Sequence, residues 1–475
     1  MQRLSNALGD RPFFQNVWRI GMPVAIQNLL SSGLALIDNM MIGSQGEVAL
    51  AAVGMAGQWG SLLFSAYWGL CCGGTLFFAQ YWGAQDRRGI ERAFGVMTLC
   101  MGFVSLLFAT MAGVFPHAVL AFYTNDVAVQ AEGARYIRIM ALGYLFQTLC
   151  MACSSLLRST ENVKLPLVAS LAAIATNTLL NWVLIYGNLG FPALGVQGAA
   201  MATVAAAVVN LAILLAASWR QRNILAIPLR EMFPFQASFV REFFVKSAPI
   251  IANEMFYGLA MMVINMVMGR QGAANLSALT IFRTLEGLIF AFFQGFSNAS
   301  SVMVGKSVGA GELEEGLRDA KRFARLCPMF SFVVCLAVLA LNRPILNLFN
   351  VSGAVRATVT GMLMIYVLTA PMRTGNYIQV NIFRAGGESR MGMFLEVGGI
   401  WLIGVPLTVL AGLALRLPFL AVFAMLYVED VVKIVLEPLY LTSGRWLKPV
   451  TPQGQAALAA FWARRKRRPK QAASL

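Results

Sequence analysis

The chain has 475 residues, 58% of them hydrophobic and only 12% charged, with a mean hydropathy of +0.67. A soluble domain carries about a quarter charged residues, so a water-soluble globular chain is excluded. The net charge of +16 reports topology in such a chain, not a nucleic-acid partner.

The first residues, MQRLSNALGDRPFFQNVWRI, are polar and basic and lack a small-residue cleavage site, so no cleavable signal is expected. Apolar runs of about 20 residues follow, long enough to cross a roughly 30 Å hydrocarbon core as helices, the only open-chain form that satisfies its own backbone in lipid. Twelve spans are expected. The first six cover roughly 14–43, 49–82, 93–117, 133–157, 165–187 and 194–217; the second six cover 243–269, 275–308, 325–345, 361–383, 391–413 and 417–442. The fold class is therefore an all-α membrane protein of two six-helix bundles. It divides into an amino-terminal lobe 1–217, a linker 218–242, a carboxyl-terminal lobe 243–442 and a basic tail 443–475. Loop charges such as Arg158, Arg318 and Arg384 crowd one side, against few on the other (Arg135, Arg270, Arg343, Arg356, Arg416). That bias puts both termini in the cytoplasm. The tail run RRKRRPK (464–470) reads as a cytoplasmic anchor, with binding to anionic lipid headgroups as the alternative.

Span 1 ends in LIDNMMIG (36–43), where Asp38 stands in a run with no other charge from Gly21 onward. It lies about five residues below the outer end, roughly 7–8 Å deep. A carboxyl taken out of water can cycle between neutral and ionised forms near neutral pH. Intramembrane acids are costly and mark a task such as proton carriage. In span 5, Asn177 and Asn181 are four apart and share a face; they and Thr203 of span 6 fall at a depth similar to that of Asp38. The seven cysteines, including the pair Cys150 and Cys153, all sit in apolar runs and read as packing residues. The only histidine, His117, sits beside Pro116 at a span end, an interfacial position.

The halves repeat. PVAIQNLLSSGLALIDNMMIGSQG from Pro23 aligns with PIIANEMFYGLAMMVINMVMGRQG from Pro249, a shift of 226. The same shift lays YWGAQD (81–86) on SVGAGE (307–312) and LLRSTEN (156–162) on IFRAGGE (382–388). Six spans per half is an even number, so both halves enter the membrane in the same sense. Parallel repeats of this kind belong to alternating-access transporters. An enzyme is not expected, because no H-E-x-x-H, G-x-S-x-G or comparable set occurs, and no metal cluster is expected.

With these motifs the sequence resembles the multidrug and toxic compound extrusion (MATE) family. The early proline, the aspartate followed by GSQGEVALAAVG (43–54), YWGAQD and LLRSTEN carry the likeness, over about residues 15–445. The resemblance implies two six-helix bundles in a V. It implies export of small organic cations driven by inward H⁺ or Na⁺, with no cofactor beyond that ion and no partner beyond lipid, as a monomer in the cell membrane. It maps the amino-lobe cation site onto Asp38, Asn177, Asn181 and Thr203. Some members with a well-formed Na⁺ site have a second aspartate where this chain has Asn181. In the NorM-like branch an acid near Glu254 takes part in coupling, and span 10 tends to carry an aspartate where this chain has Arg373. Both departures favour H⁺ over Na⁺, and Arg373 is expected to pair with Glu254. Arg283 and Glu286 are expected to neutralise each other, and Glu429, Asp430, Lys433 and Glu437 form a structural cluster. Gln27 and Gln147 are neutral cavity candidates, beside Met40, Met41, Met255, Met261, Met262, Phe256, Tyr257 and Trp59. The competing reading is a flippase or exporter of another amphipathic substrate, such as a lipid-linked sugar, kept open by Arg283 and Arg373.

Overall fold

A computed structural model of the chain describes residues 10–226, 236–347 and 352–472. Part of the linker (227–235) and the last three residues of the tail lie outside the described residues. No strand occurs among those described. Helices α1 (Arg11–Gly43), α2 (Glu47–Gly83), α3 (Arg87–Val114), α4 (Val127–Ser159), α5 (Lys164–Tyr186) and α6 (Val196–Gln221) form the first repeat. The second contains α7 (Ala237–Gly269), α8 (Ala273–Gly309), α9 (Leu313–Ala340), α10 (Gly353–Ala385) and α11 (Arg390–Ala414). All eleven are apolar and long enough to cross a bilayer. The twelfth span, α12, is broken into Phe419–Met425 and Val428–Ser443. Glu429 and Asp430 fall in the first turn of its second piece, where the helix dipole favours negative charge. α11 is also irregular, with π-turns at Ile400–Gly404 and Leu410–Ala414.

The chain forms two compact units whose borders differ from the sequence division at 217–243. One comprises Ile26–Phe78 and Arg87–Ser247; the other comprises Met1–Ala25, Ala79–Asp86 and Ala248–Leu475. Helices α1 and α7 change unit within three residues of Pro23 and Pro249, equivalent positions in the repeat. Each ring removes one intrahelical hydrogen bond and crowds the preceding turn, which makes these the natural bending points.

Small residues let the exchanged segments dock by the same rule in both repeats. In one unit, a Cβ on Gly21 of α1 would lie 3.3 Å from the Gly295 carbonyl oxygen and 3.6 Å from Ala299 Cβ of α8. In the other, Gly73 of α2 abuts Ser247 of α7; Ser247 and Ala299 are the repeat partners of Gly21 and Gly73. The end of α2 crosses α8 still more closely. Gly83 lies on the Lys306 carbonyl and Gly309 on the Gln80 carbonyl, a pairing that the 226-residue shift maps onto itself.

The tail is part of this packing. Gln80, fully buried, donates from Nε2 to the Ala385 carbonyl (2.7 Å) and accepts at Oε1 from the Val450 N–H (2.8 Å). Thr451 Oγ1 donates to the Gly309 carbonyl at 2.7 Å, and Trp446 is fully buried. Helix α13 (Pro452–Ala472) follows, and Arg465 donates to the Ser443 and Thr442 carbonyls at 2.7 and 2.8 Å. The basic tail therefore begins with a docked segment, held by the Gln80 side chain and by backbone carbonyls at the ends of α8 and α12.

Candidate coupling and substrate sites

Asp38 sits on the last turns of α1, within one compact unit, facing α5 and α6. Asn181 Nδ2 donates to Asp38 Oδ1 at 2.7 Å and to Asn177 Oδ1 at 3.0 Å. Asn177 Nδ2 donates to Thr203 Oγ1 at 3.3 Å, and Thr203 donates to the Ala199 carbonyl. The four residues thus form one polar chain. The i, i+4 spacing on α5 puts both amides on the face toward α1 and α6, and both are nearly fully buried. Ile42, Ala49, Ile185, Val196 and Ala199 pack beside the chain, with Tyr136 against them. This apolar cluster shields a single carboxyl whose partners are neutral. Such a group can take up and release one proton without breaking an ion pair. A cation bound there would have to displace the Asn181 N–H.

Further along α1, Gln27 Nε2 donates to Ser170 Oγ at 2.6 Å. Gln147 lies half-buried on α4. Trp59 packs tilted against Phe108, 4.6 Å between ring centroids, and donates to its carbonyl, so its ring is occupied by α3. Met40, Met255, Phe256 and Met262 are exposed, while Met41 and Met261 are half-buried. His117 is exposed on a short helix, Pro116–Ala121.

The other unit holds a larger charged network. Arg384 of α10 donates to Glu254 Oε1 of α7 at 3.1 Å and to Glu396 Oε2 of α11 at 3.2 Å; Asn253 Nδ2 also donates to Glu396, at 2.7 Å. The expected Arg373–Glu254 pair does not form. Arg373 and Arg384 are eleven residues apart on one helix, about 16 Å in rise, and Glu254 meets the second. Arg373 instead donates to the Tyr257 hydroxyl at 2.9 Å and lies over the Tyr427 ring, 5.5 Å from its centroid. Arg283 and Glu286 do pair, at 3.1 Å, and Arg283 also reaches Asn265. On α12, Lys433 pairs with Glu429 at 3.0 Å, and Asn376 of α10 donates to Asp430 at 2.9 Å.

Glu396, Asn253 and Tyr427 were not singled out from sequence. The repeat offers a signal for the first two. Asn253 and Glu396 are the 226-shift partners of Gln27 and Ser170, so the same helix–helix hydrogen bond recurs in both units. No group of three or more His, Cys, Asp or Glu suited to a metal ion occurs among the described residues.

A family model described as MatE matches residues 23–183 and 249–410, two segments whose starts differ by the repeat shift. The chain is 21% identical over 429 residues to the uncharacterized transporter YisQ of Bacillus subtilis, covering 90% of this chain and 93% of YisQ. It is 27% identical over 414 residues to a probable multidrug resistance protein NorM of Bradyrhizobium diazoefficiens, covering 84% and 86%. In fold it is similar to a MATE protein crystallised with MaL6, with a TM-score of 0.81 at 18% identity, covering 94% of this chain and 99% of that one. It is also similar to a MOP superfamily transporter from Pyrococcus furiosus whose binding pocket is described as reversed in polarity, with a TM-score of 0.79 at 18% identity, covering 93% and 98%. The matched segments lie in both repeats and cover well over half of the chain, and the structure has eleven helices long and apolar enough to cross a membrane besides the broken α12: the chain belongs to the MatE family of multi-pass membrane transporters.

Proposed function

We propose that this chain is a secondary antiporter that exports organic cations, driven by inward H⁺ bound at Asp38. The observation that carries this reading is the polar chain Asp38–Asn181–Asn177–Thr203. A lone carboxyl with neutral amide and hydroxyl partners suits a proton, because protonation changes its charge without orphaning a basic residue. The loop charges support a topology with both termini in the cytoplasm. Drug export is supported by the NorM relatives, named as multidrug resistance proteins. The test is transport in proteoliposomes with a pH gradient and a Na⁺ gradient imposed separately. Efflux of an ethidium-like cation should follow the pH gradient, and Asp38→Asn should abolish it while the protein still inserts. Full activity in that variant overturns the proposal; activity driven by Na⁺ alone replaces the ion.

A second reading rests on Arg373, which has no carboxylate within ion-pair distance among the described residues. A guanidinium without a carboxylate partner suits an anionic amphipathic substrate such as a lipid-linked sugar, and the Pyrococcus furiosus transporter is described as having a reversed pocket polarity that suggests a different function. Transport of an anionic lipid analogue, lost in Arg373→Ala and indifferent to ethidium, would favour this reading.

A further inference from the structure

We propose that the carboxyl-terminal unit binds a proton of its own at Glu437, on the second piece of α12, in line with Lys433 and Glu429. The pairing of the buried acids points to it first. Of Glu254, Glu286, Glu396, Glu429, Asp430 and Glu437, five have a partner and one has none. Arg283 neutralises Glu286, Lys433 neutralises Glu429, and Arg384 is shared between Glu254 and Glu396. Asp430 accepts from Asn376. Glu437 receives nothing. It is fully buried, and neither carboxyl oxygen has a hydrogen-bond partner among the described residues. An ionised carboxylate so placed is strongly disfavoured, whereas a neutral acid is tolerated. The geometry points to a protonated side chain in this conformation.

The surroundings favour a proton over a metal cation and provide a way to release it. The charged groups facing Glu437 are Glu429, Asp430 and Lys433 on its own helix and Glu396 from α11. From α10 the cluster is flanked by Arg373, over the Tyr427 ring, and Arg384, bound to Glu396. α9 carries its charges in its first half: Arg322 pairs with Asp319 and Arg318 with Glu315, and Lys321 and Arg325 have partners already. With lysine and arginine so near, a second cation would be repelled. Lys433 lies midway between Glu429 and Glu437, four residues from each, so both acids share its helix face. It now bonds Glu429. A swing of its ammonium to Glu437 would stabilise the ionised form there and expel the proton, leaving Glu429 to take one up. The neighbouring helix can permit that swing. Gly399 of α11 abuts Lys433 and Glu429, and the first π-turn of α11 begins at the next residue. Such turns mark places where a helix shifts register.

This inference does not rest on Asp38 or on the identity of the substrate, and its test is chosen accordingly. Infrared spectra of the full-length protein in lipid near neutral pH should show the carbonyl stretch of a neutral carboxylic acid. Part of that band should shift when the protein is labelled with ¹³C-glutamate, which leaves the aspartates unlabelled. Glu437→Gln, isosteric with the neutral acid, should remove the glutamate component, while Asp38→Asn should leave it. Absence of any glutamate component in the wild-type protein overturns the proposal without a variant having to fold; so does an unchanged component in Glu437→Gln. In proteoliposomes, Glu437→Gln should also lower the number of protons exchanged per substrate while Asp38→Asn abolishes coupled transport. An unchanged proton count in Glu437→Gln would contradict the assignment.

Discussion

The α1–α5 seam of one repeat and the α7–α11 seam of the other share a frame and differ in charge. Gln27–Ser170 (2.6 Å) and Asn253–Glu396 (2.7 Å) are the same hydrogen bond at the same repeat positions. Arg158 and Arg384 are likewise equivalent. Yet Arg384 holds two carboxylates, while Arg158 has none within ion-pair distance among the described residues and lies against Met151 sulfur. At the other end of the seam the contrast reverses. Asp38 and Asn181 meet in the first repeat, and the shift replaces them with Ile264 and Leu407. Asp38 is eleven residues from Gln27 on α1, so the two charge centres lie about 16 Å apart along the common frame. A duplicated scaffold has thus kept its packing and moved its ionisable groups to opposite ends.

The largest expected effect comes from removing the shared cation. Arg384→Ala orphans Glu254 and Glu396 and should destabilise the folded protein by about 3–5 kcal/mol, the usual cost of stranding one partner of a buried ion pair. Arg158→Ala strands no acid and should cost clearly less. Thermal unfolding of both variants in detergent compares them directly; equal losses would show that the two arginines do the same job. Next in size, Asn181→Ala leaves the Asp38 and Asn177 oxygens without their donor and should cost about 1–3 kcal/mol. It should also slow efflux driven by a pH gradient. Asn253→Ala should do less, since Glu396 keeps Arg384. Efflux rates that fall equally would erase the proposed difference between the seams. Gly83→Ala and Gly309→Ala each press a methyl onto a backbone carbonyl in the α2–α8 crossing, and each should cost about 1–3 kcal/mol by overpacking. Here the repeat predicts equality, so a strong inequality in unfolding temperature would break the symmetry inferred for that crossing.

The parts of this architecture that follow periodicity and repetition were legible in the residues. The spans and the shift of 226 follow from apolar run length and repetition; helical spacing put Asp38, Asn177, Asn181 and Thr203 at a similar depth, and the resemblance to the MATE family grouped them as one site. What escaped depends on partners that are distant in sequence. Arg384 looked like a loop charge because it stands in the last turn of α10, yet its long side chain reaches two acids on other helices. Glu396 hides in a glycine-rich apolar stretch, and only its alignment with Ser170 gives it meaning. The break at Leu426–Tyr427 and the π-turns of α11 leave no mark in hydropathy. The docked start of the tail was missed because its partners, Gln80, Glu388 and backbone carbonyls such as that of Gly309, are distant in sequence, and no local pattern announces them.

That docked segment yields the smallest and most local prediction. The carboxyl of Glu388, in the loop after α10, is pushed up by burial. The bonded Lys448 ammonium and the N–H groups of Met391 and Arg390 outweigh that and hold it below the ordinary glutamate value of 4.5. A carboxyl with a depressed folded value stabilises the structure above its ordinary range and loses that contribution as the pH falls through the folded value. Lys448 is half exposed, so solvent screening limits the pair to about 1 kcal/mol or less. Trp446 and the Gln80–Val450 bond carry the rest of the docking and do not titrate. The protection of the Val450 and Lys448 amides against hydrogen exchange, taken relative to the intrinsic rate at each pH, should therefore fall modestly below pH 4.5 and show no such step in Glu388→Gln, which should be slightly less protected at neutral pH. An acid-induced step that persists in Glu388→Gln would assign the titration to another group. The shift equates Glu388 with Asn162 in the first repeat, a neutral residue, so any acid-sensitive docking at that position should be confined to the carboxyl-terminal end of the chain.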